Sequence, residues 1–201
     1  MLIAFNKPYG VICQFSPSGH KPTLKNYIAV PNVYPAGRLD TDSEGLLLLT
    51  DIGPLQAQIA SPQTKVGKTY FVQVEGRATD AQLAALRSPL NLGDFVAAPA
   101  SQAYRMDAPA LWERVPPIRV RAAIPTDWLC IEIREGKNRQ VRRMTAKVGL
   151  PTLRLVRAAI GEIRLLDLKI GPGEWLEIAE SAILGRDTGK KSGSKAKKPT
   201  N

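Results

Sequence analysis

A chain of 201 residues, 44% hydrophobic and 23% charged, is long enough for one large domain or two tightly joined halves around a real core. Lysine and arginine number 28 against 18 acids, a formal net charge of +10, so a polyanionic partner is the natural inference beside the plainer reading of a solvated surface. Cys13 and Cys130 lie far apart and His20 is the single histidine, so zinc ligation and Ser-His-Asp or Cys-His catalysis lack their parts. Any catalysis falls to carboxylate, lysine, arginine or tyrosine.

The amino terminus, MLIAFNKPYGVICQF, has no basic region ahead of a long apolar run. No segment approaches the roughly 20 apolar residues of a membrane span, and a cytoplasmic protein is expected. Next comes GRLDTDSEGLLLLT, Gly37 to Thr50, in which Asp40, Asp42 and Glu44 with Gly45 match the opening of a calcium loop. The match fails on continuation. Leu48 stands at the ninth loop position and Asp51 at the twelfth, and Pro35 and Gly37 interrupt the helix that should enter the loop. The four leucines read as a buried strand.

Asp51 or Gly53 ahead of Pro54 predicts a helix start, and Lys68 to Gly76 (KTYFVQVEG) reads as a strand. Thr79 with Gln82 forms a capping box before Leu83 and Leu86. In WLCIEIR, Trp128 to Arg134, Leu129, Ile131 and Ile133 alternate with Cys130, Glu132 and Arg134, the period of a strand. A third helix is predicted from about Asn138 to Val148, ended by Gly149 and Pro151. From about Arg186 the chain is a Gly, Ser, Lys and Pro tail, and its last sixteen residues hold six basic residues and one acidic, about half the net charge. This tail, residues 186 to 201, is expected to be disordered. Strands outnumber helices without regular βαβ alternation, which predicts an α+β fold with a mixed, mainly antiparallel sheet flanked by helices and loops.

The third helix carries the densest basic cluster, EGKNRQVRRMTAKVG. Arg139, Arg142 and Arg143 stand at i, i+3 and i+4 and are expected to share one face, with Val141, Met144 and Val148 on another. One side is then built to pack and the other to meet anions; a plain solvated face is the alternative. Arg114, Arg119 and Arg121 near Trp112 form a second basic stretch, either an RNA-stem contact or an exposed loop.

Four segments together, NKPYG at Asn6 to Gly10, GRLDTDSEGLLLLT, GKTYFVQVEG at Gly67 to Gly76 and EGKNRQVRRM at Glu135 to Met144, closely resemble the RsuA-type ribosomal RNA pseudouridine synthases in order and spacing. The similarity extends over roughly residues 2 to 180. Pro116-Pro117-Ile118-Arg119 and Ile124-Pro125-Thr126 also resemble the E-type branch of that family, which modifies large-subunit (23S) rRNA. The resemblance implies a pseudouridine synthase fold over residues 1–185, with the catalytic domain beginning at once and no small S4-like RNA-binding domain in front.

On that resemblance, the GRLD motif makes Asp40 the catalytic aspartate, with Asp42, Ser43 and Glu44 secondary, shaping the loop through side-chain to backbone hydrogen bonds. Tyr70 of GKTY is expected to stack on the target uracil and to assist removal of the carbon 5 proton; an ordinary strand aromatic is the plain alternative. Arg142, after Gln140 and Val141, is expected to pair with Asp40, with Arg139 and Arg143 as alternates. Arg38 is expected to enter the RNA where the extruded base was, and Lys7, Lys68, Arg139, Gln140 and Arg143 to join it in RNA binding.

The implied reaction isomerises uridine, moving ribose from nitrogen 1 to carbon 5 of the base, with no redox change, group donor, metal or organic cofactor. The base must be flipped, cut free, held while it turns and rejoined. An ionised Asp40 either attacks the ribose or removes its 2′ proton to give a glycal, and sequence does not choose between them. The expected partner is 23S rRNA or a large-subunit assembly intermediate, met by a monomer. Two rivals remain: a noncatalytic RNA-binding or assembly protein on the same basic surface, and a magnesium-dependent nuclease.

Overall fold

The computed structural model describes residues 1–64, 66–118 and 123–184, so Arg119, Arg121 and the 186–201 tail lie outside the described residues. In chain order the strands and helices are β1 (Leu2–Lys7), β2 (Tyr34–Pro35), β3 (Glu44–Thr50), α1 (Gly53–Ala60), β4 (Lys68–Glu75) and α2 (Asp80–Leu86). There follow β5 (Leu90–Asn91), β6 (Val96–Ala97), β7 (Gln102–Met106), β8 (Thr126–Ile133) and α3 (Gln140–Lys147). The chain closes with β9 (Thr152–Ile160), β10 (Ile163–Arg164), α4 (Leu165–Leu168), β11 (Trp175–Ile178) and α5 (Ser181–Leu184).

One sheet runs in the order β11-β1-β3-β9-β4-β8-β7, with β2 added on β3 and β10 on β9, while β5 and β6 form a separate hairpin. Among the described strand pairs of this sheet, β3–β9 alone is parallel. The expected α+β fold with a mixed, mainly antiparallel sheet is therefore present.

The leucines of β3 show why this sheet is covered on both faces. Leu46 and Leu48 pack with Leu2, Ala4, Leu55 and Ile59 on one side, and Leu47 and Leu49 with Ile3, Phe5, Val11 and Leu24 on the other. A strand with two buried faces reads as an unbroken apolar run, and each such leucine contributes about 1.5–3 kcal/mol of burial. In β4 only one face is buried, so Lys68, Tyr70, Val72 and Val74 alternate with partly exposed neighbours. That face joins Leu83 and Leu86 of α2 and Val141 and Met144 of α3 in a third cluster.

Helix termini follow the local chemistry with two departures. Thr79 Oγ1 accepts from Gln82 N at 3.3 Å and Gln82 Oε1 from Thr79 N at 2.9 Å, the expected capping box. For α1 neither Asp51 nor Gly53 is the cap: Ile52 holds that place without a side-chain bond, because the amino-terminal amine takes the Asp51 carboxylate at 2.8 Å. Helix α3 begins at Gln140 rather than about Asn138, and Arg139 before it adopts a left-handed φ of 49°. Gly149, at φ 82°, ends this helix as expected.

Candidate active site

The segment between β2 and β3, residues 36–43, is pinned along its backbone. Ala36 N donates to Leu48 O at 2.8 Å, Gly10 N to Thr41 O at 2.8 Å, and Ser43 N to Asp40 O at 3.0 Å, closing a tight turn at Asp40. Leu39 N donates to Cys13 Sγ at 3.4 Å, Arg157 Nη1 to Arg38 O at 3.4 Å and Arg142 Nη2 to Asp42 O at 2.6 Å. Each bond immobilises main chain on either side of Asp40. A carboxylate on a loop so held keeps one position, as a catalytic group requires.

The spaced acids of this loop are divided among arginines. Asp42 receives a bidentate clasp from Arg139, with Nη1 to Oδ1 at 3.0 Å and Nη2 to Oδ2 at 2.8 Å. Burial pushes the Asp42 carboxyl up, but the Arg139 hydrogen bonds and the Arg142 and Arg139 charges outweigh it and hold the group below the usual carboxylate range. Asp40, with 35% of its side chain exposed, has Arg139 Nη1 3.9 Å from its Oδ2. Glu44 is buried at 1% exposure and receives Arg154 Nε and Nη2, both at 2.9 Å, and Trp112 Nε1 at 2.8 Å.

These partners correct several expectations. The arginine beside Asp40 is Arg139; Arg142 Nε lies 3.5 Å from Asp42 Oδ2 instead. Arg143 turns away altogether, paired with Asp94, donating to Leu92 O at 2.7 Å and lying 4.7 Å over the Phe95 ring. The three arginines do not share one target: Arg139, left-handed just before the helix, and Arg142 within it both meet Asp42, while Arg143, one position and about 100° further round the helix, meets Asp94. Glu44 does not shape the loop by bonding its backbone; it anchors the start of β3 to β9. The Ser43 hydroxyl is buried with no partner among the described residues, so the hydrogen bond expected of it is not made there.

Below the loop opens a cavity of about 900 Å³, lined among others by Arg38, Asp40, Lys68, Tyr70, Arg139 and Arg157. Arg38 is exposed at its edge, while Tyr70 is 7% exposed and presents its ring from β4. Two other expected RNA contacts are spent inside the protein. Lys7 is fully buried, its Nζ donating to Pro8 O at 2.8 Å, and burial lowers its pKa to about 8. Gln140 borders the cavity, but its Nε2 donates to Glu135 Oε1 at 2.5 Å and its Oε1 accepts from Lys137 N at 3.0 Å, leaving its amide committed to the turn before α3. Lys68 is 6% exposed, and burial followed by the nearby Arg157 charge lowers its pKa. Arg114 is likewise engaged, donating to Pro116 O at 2.8 Å and Pro117 O at 3.0 Å and lying 4.5 Å over the Tyr9 ring.

A pinned aspartate above a cavity large enough for a nucleotide, with an aromatic ring in its lining and arginines around it, suits chemistry on a flipped nucleotide. Residues 1–147 match the family model described as RNA pseudouridylate synthase. The chain belongs to the RNA pseudouridylate synthase family. It is similar to the ribosomal large subunit pseudouridine synthase E of Vibrio vulnificus, 55% identical over 178 residues that cover 89% of this chain and 75% of that one. The protein of the same name from Xanthomonas campestris is 54% identical over 177 residues, 87% of this chain and 94% of its own. Among solved structures, one titled crystal structure of pseudouridylate synthase matches with a TM-score of 0.72 at 28% identity, covering 91% of this chain and 72% of that one. The enzyme is thus an RNA pseudouridine synthase, an isomerase.

In this synthase the family match takes in Asp40, Tyr70 and the α3 arginines, but stops before β9. Strand β9 supplies the residues that sequence reasoning missed. Arg154 and Arg157 are 7% and 2% exposed within the run TLRLVRAAI. A pair of arginines inside an apolar strand was the available signal, since charge is buried only where something compensates it.

Proposed function

We propose that this synthase isomerises a uridine of large-subunit (23S) rRNA, with Asp40 as the catalytic carboxylate, Tyr70 stacked on the uracil and Arg139 and Arg142 setting the electrostatics of the loop. The relatives named for the large ribosomal subunit, alike over most of their length, support the substrate. The observation that carries the roles is Asp40 held at a tight turn on the wall of the cavity that Tyr70 enters from β4. Arg38, exposed at the edge, takes the place left by the flipped base. Residues 1–185 act as the catalytic unit, working as a cytoplasmic monomer without metal or organic cofactor. No described helix is long and apolar enough to cross a membrane.

In the reaction, phosphate contacts offset the few kcal/mol spent on unstacking the uridine. Asp40 then either adds to ribose carbon 1′ or takes the 2′ proton, and the freed uracil turns against Tyr70 before carbon 5 bonds to carbon 1′. The test uses unmodified large-subunit rRNA tritiated at uracil carbon 5, without metal or cofactor. The wild type is expected to release tritium, and Asp40→Asn to bind the RNA equally while releasing none. Release by both proteins would refute Asp40 as the catalytic group; tight binding without release by either would favour a noncatalytic binder.

A further inference from the structure

Three buried cations gather beneath the catalytic loop, two of them in the lining of the cavity. Lys7, Arg157 and Lys68 are 0%, 2% and 6% exposed, and none forms an ion pair with a carboxylate among the described residues. Their bonds go to main-chain carbonyls: Arg157 Nε to Leu46 O at 2.7 Å and Nη1 to Arg38 O at 3.4 Å, Lys68 Nζ to Val66 O at 3.5 Å, Lys7 Nζ to Pro8 O at 2.8 Å. Arg157 Nη2 is buried with no partner among the described residues. The neighbouring acids are engaged elsewhere, Glu44 by Arg154 and Asp42 by Arg139. Buried unpaired charge is costly, so such a cluster is retained where negative charge arrives.

Two of the three, Lys68 and Arg157, line the cavity, and they flank Tyr70. Lys68 stands two residues before Tyr70 on the same face of β4, and Arg157 is its cross-strand neighbour on β9. The phosphodiester of a flipped nucleotide stays with the RNA chain outside the cavity. The part of a flipped nucleotide that reaches the tyrosine is the base.

Resting on the isomerase reading above, we propose that Lys68 and Arg157 stabilise the negative charge that forms on uracil when its bond to ribose breaks. The electron pair of the carbon 1′ to nitrogen 1 bond leaves with the base, giving an anion whose charge spreads over nitrogen 1, oxygen 2 and oxygen 4. Carbon 1′ is satisfied by an Asp40 oxygen, or by forming a double bond to carbon 2′ as Asp40 takes the 2′ proton. Either change is reversed when carbon 5 of the anion returns a pair to carbon 1′. Carbon 5 then loses its proton and nitrogen 1 gains one, so atoms and electrons balance. The charge is absent from bound uridine, and fixed cations that meet it only as it forms lower the barrier rather than merely tighten binding.

Lys68 tests this cleanly, since among the described residues its side chain makes one long bond, to Val66 O, whereas Arg157 also tethers the catalytic loop. Single-turnover rates and RNA affinities of the wild type, Lys68→Met and Lys68→Arg are measured on rRNA fragments carrying uridine or 5-fluorouridine at the target position. Loss of the parent nucleoside is followed by chromatography of digests. Fluorine makes the base a better leaving group that depends less on outside charge. Lys68→Met is expected to lose on the order of 100-fold in rate on uridine at unchanged affinity, a severalfold smaller factor on 5-fluorouridine, and to be largely rescued in Lys68→Arg. Equal losses on both RNAs, or a loss of affinity with the rate intact as for a phosphate contact, would overturn the proposal. A wild type inert on both RNAs would overturn the isomerase reading itself, so the two failures are told apart.

Discussion

Replacing Arg154 with methionine isolates the link that fixes the catalytic loop to the sheet. Glu44, four residues after Asp40 and 1% exposed, now receives two guanidinium N–H groups at 2.9 Å and the Trp112 indole at 2.8 Å. The variant leaves an ionised carboxylate in the core with one neutral donor. Breaking one side of such a pair costs about 3–5 kcal/mol, because the surviving charge is desolvated without its counter-ion. For a chain of this length each kcal/mol lowers the melting temperature by about 2–4 °C, so a fall of roughly 10 °C is expected. Urea unfolding should show a lower midpoint at unchanged slope. Adding Glu44→Gln removes the stranded charge and should recover most of the loss, and turnover should fall with stability only in the single variant. A cost below about 1 kcal/mol, the range of exposed pairs, or a double variant no better than Arg154→Met, would refute the reasoning.

Arg139→Met removes the guanidinium 3.9 Å from Asp40 and should lower single-turnover tritium release at least about tenfold, whereas Arg143→Met should stay within about twofold of wild type; the reverse order would restore Arg143 to the site. Gly45→Ala places a Cβ 2.5 Å from Arg157 O and 2.9 Å from Arg157 N at φ 102°, so it should cost about 3 kcal/mol or more in chemical unfolding, and a neutral result would contradict the close β3–β9 approach. Lys7, lowered by burial from 10.5 to about 8, binds a proton more weakly folded than unfolded. Its contribution to stability is therefore full above pH 10.5 and lost as pH falls through about 8. Measured against Lys7→Met, the wild type should gain up to about 3 kcal/mol as pH rises through that window, and a pH-independent difference would show that Lys7 is not held where the structure places it.

The sequence by itself determined what depends on neighbours along the chain. The four leucines reported a strand covered on both faces, the alternation of β4 and β8 reported sheet, and Thr79 with Gln82 announced α2, because periodicity and capping are local properties. The order of the GRLD, GKTY and RQVRR segments carried the family, and the cavity gathers the first two with Arg139. Tertiary structure alone decided which charge meets which. Asp42 finds Arg139 across 97 residues and Glu44 finds Arg154 across 110, pairings that no spacing rule encodes. Helix α3 begins two residues later than about Asn138, with Arg139 left-handed before it, and Arg139 and Arg142 meet at Asp42 while Arg143 turns to Asp94, a split that a helical repeat does not announce. Burial decided the rest: Lys7 looks in sequence like any surface cation and Arg157 is marked only by its apolar strand, and it is the sheet closing over them that buries one beneath the loop and makes the other a wall of the cavity.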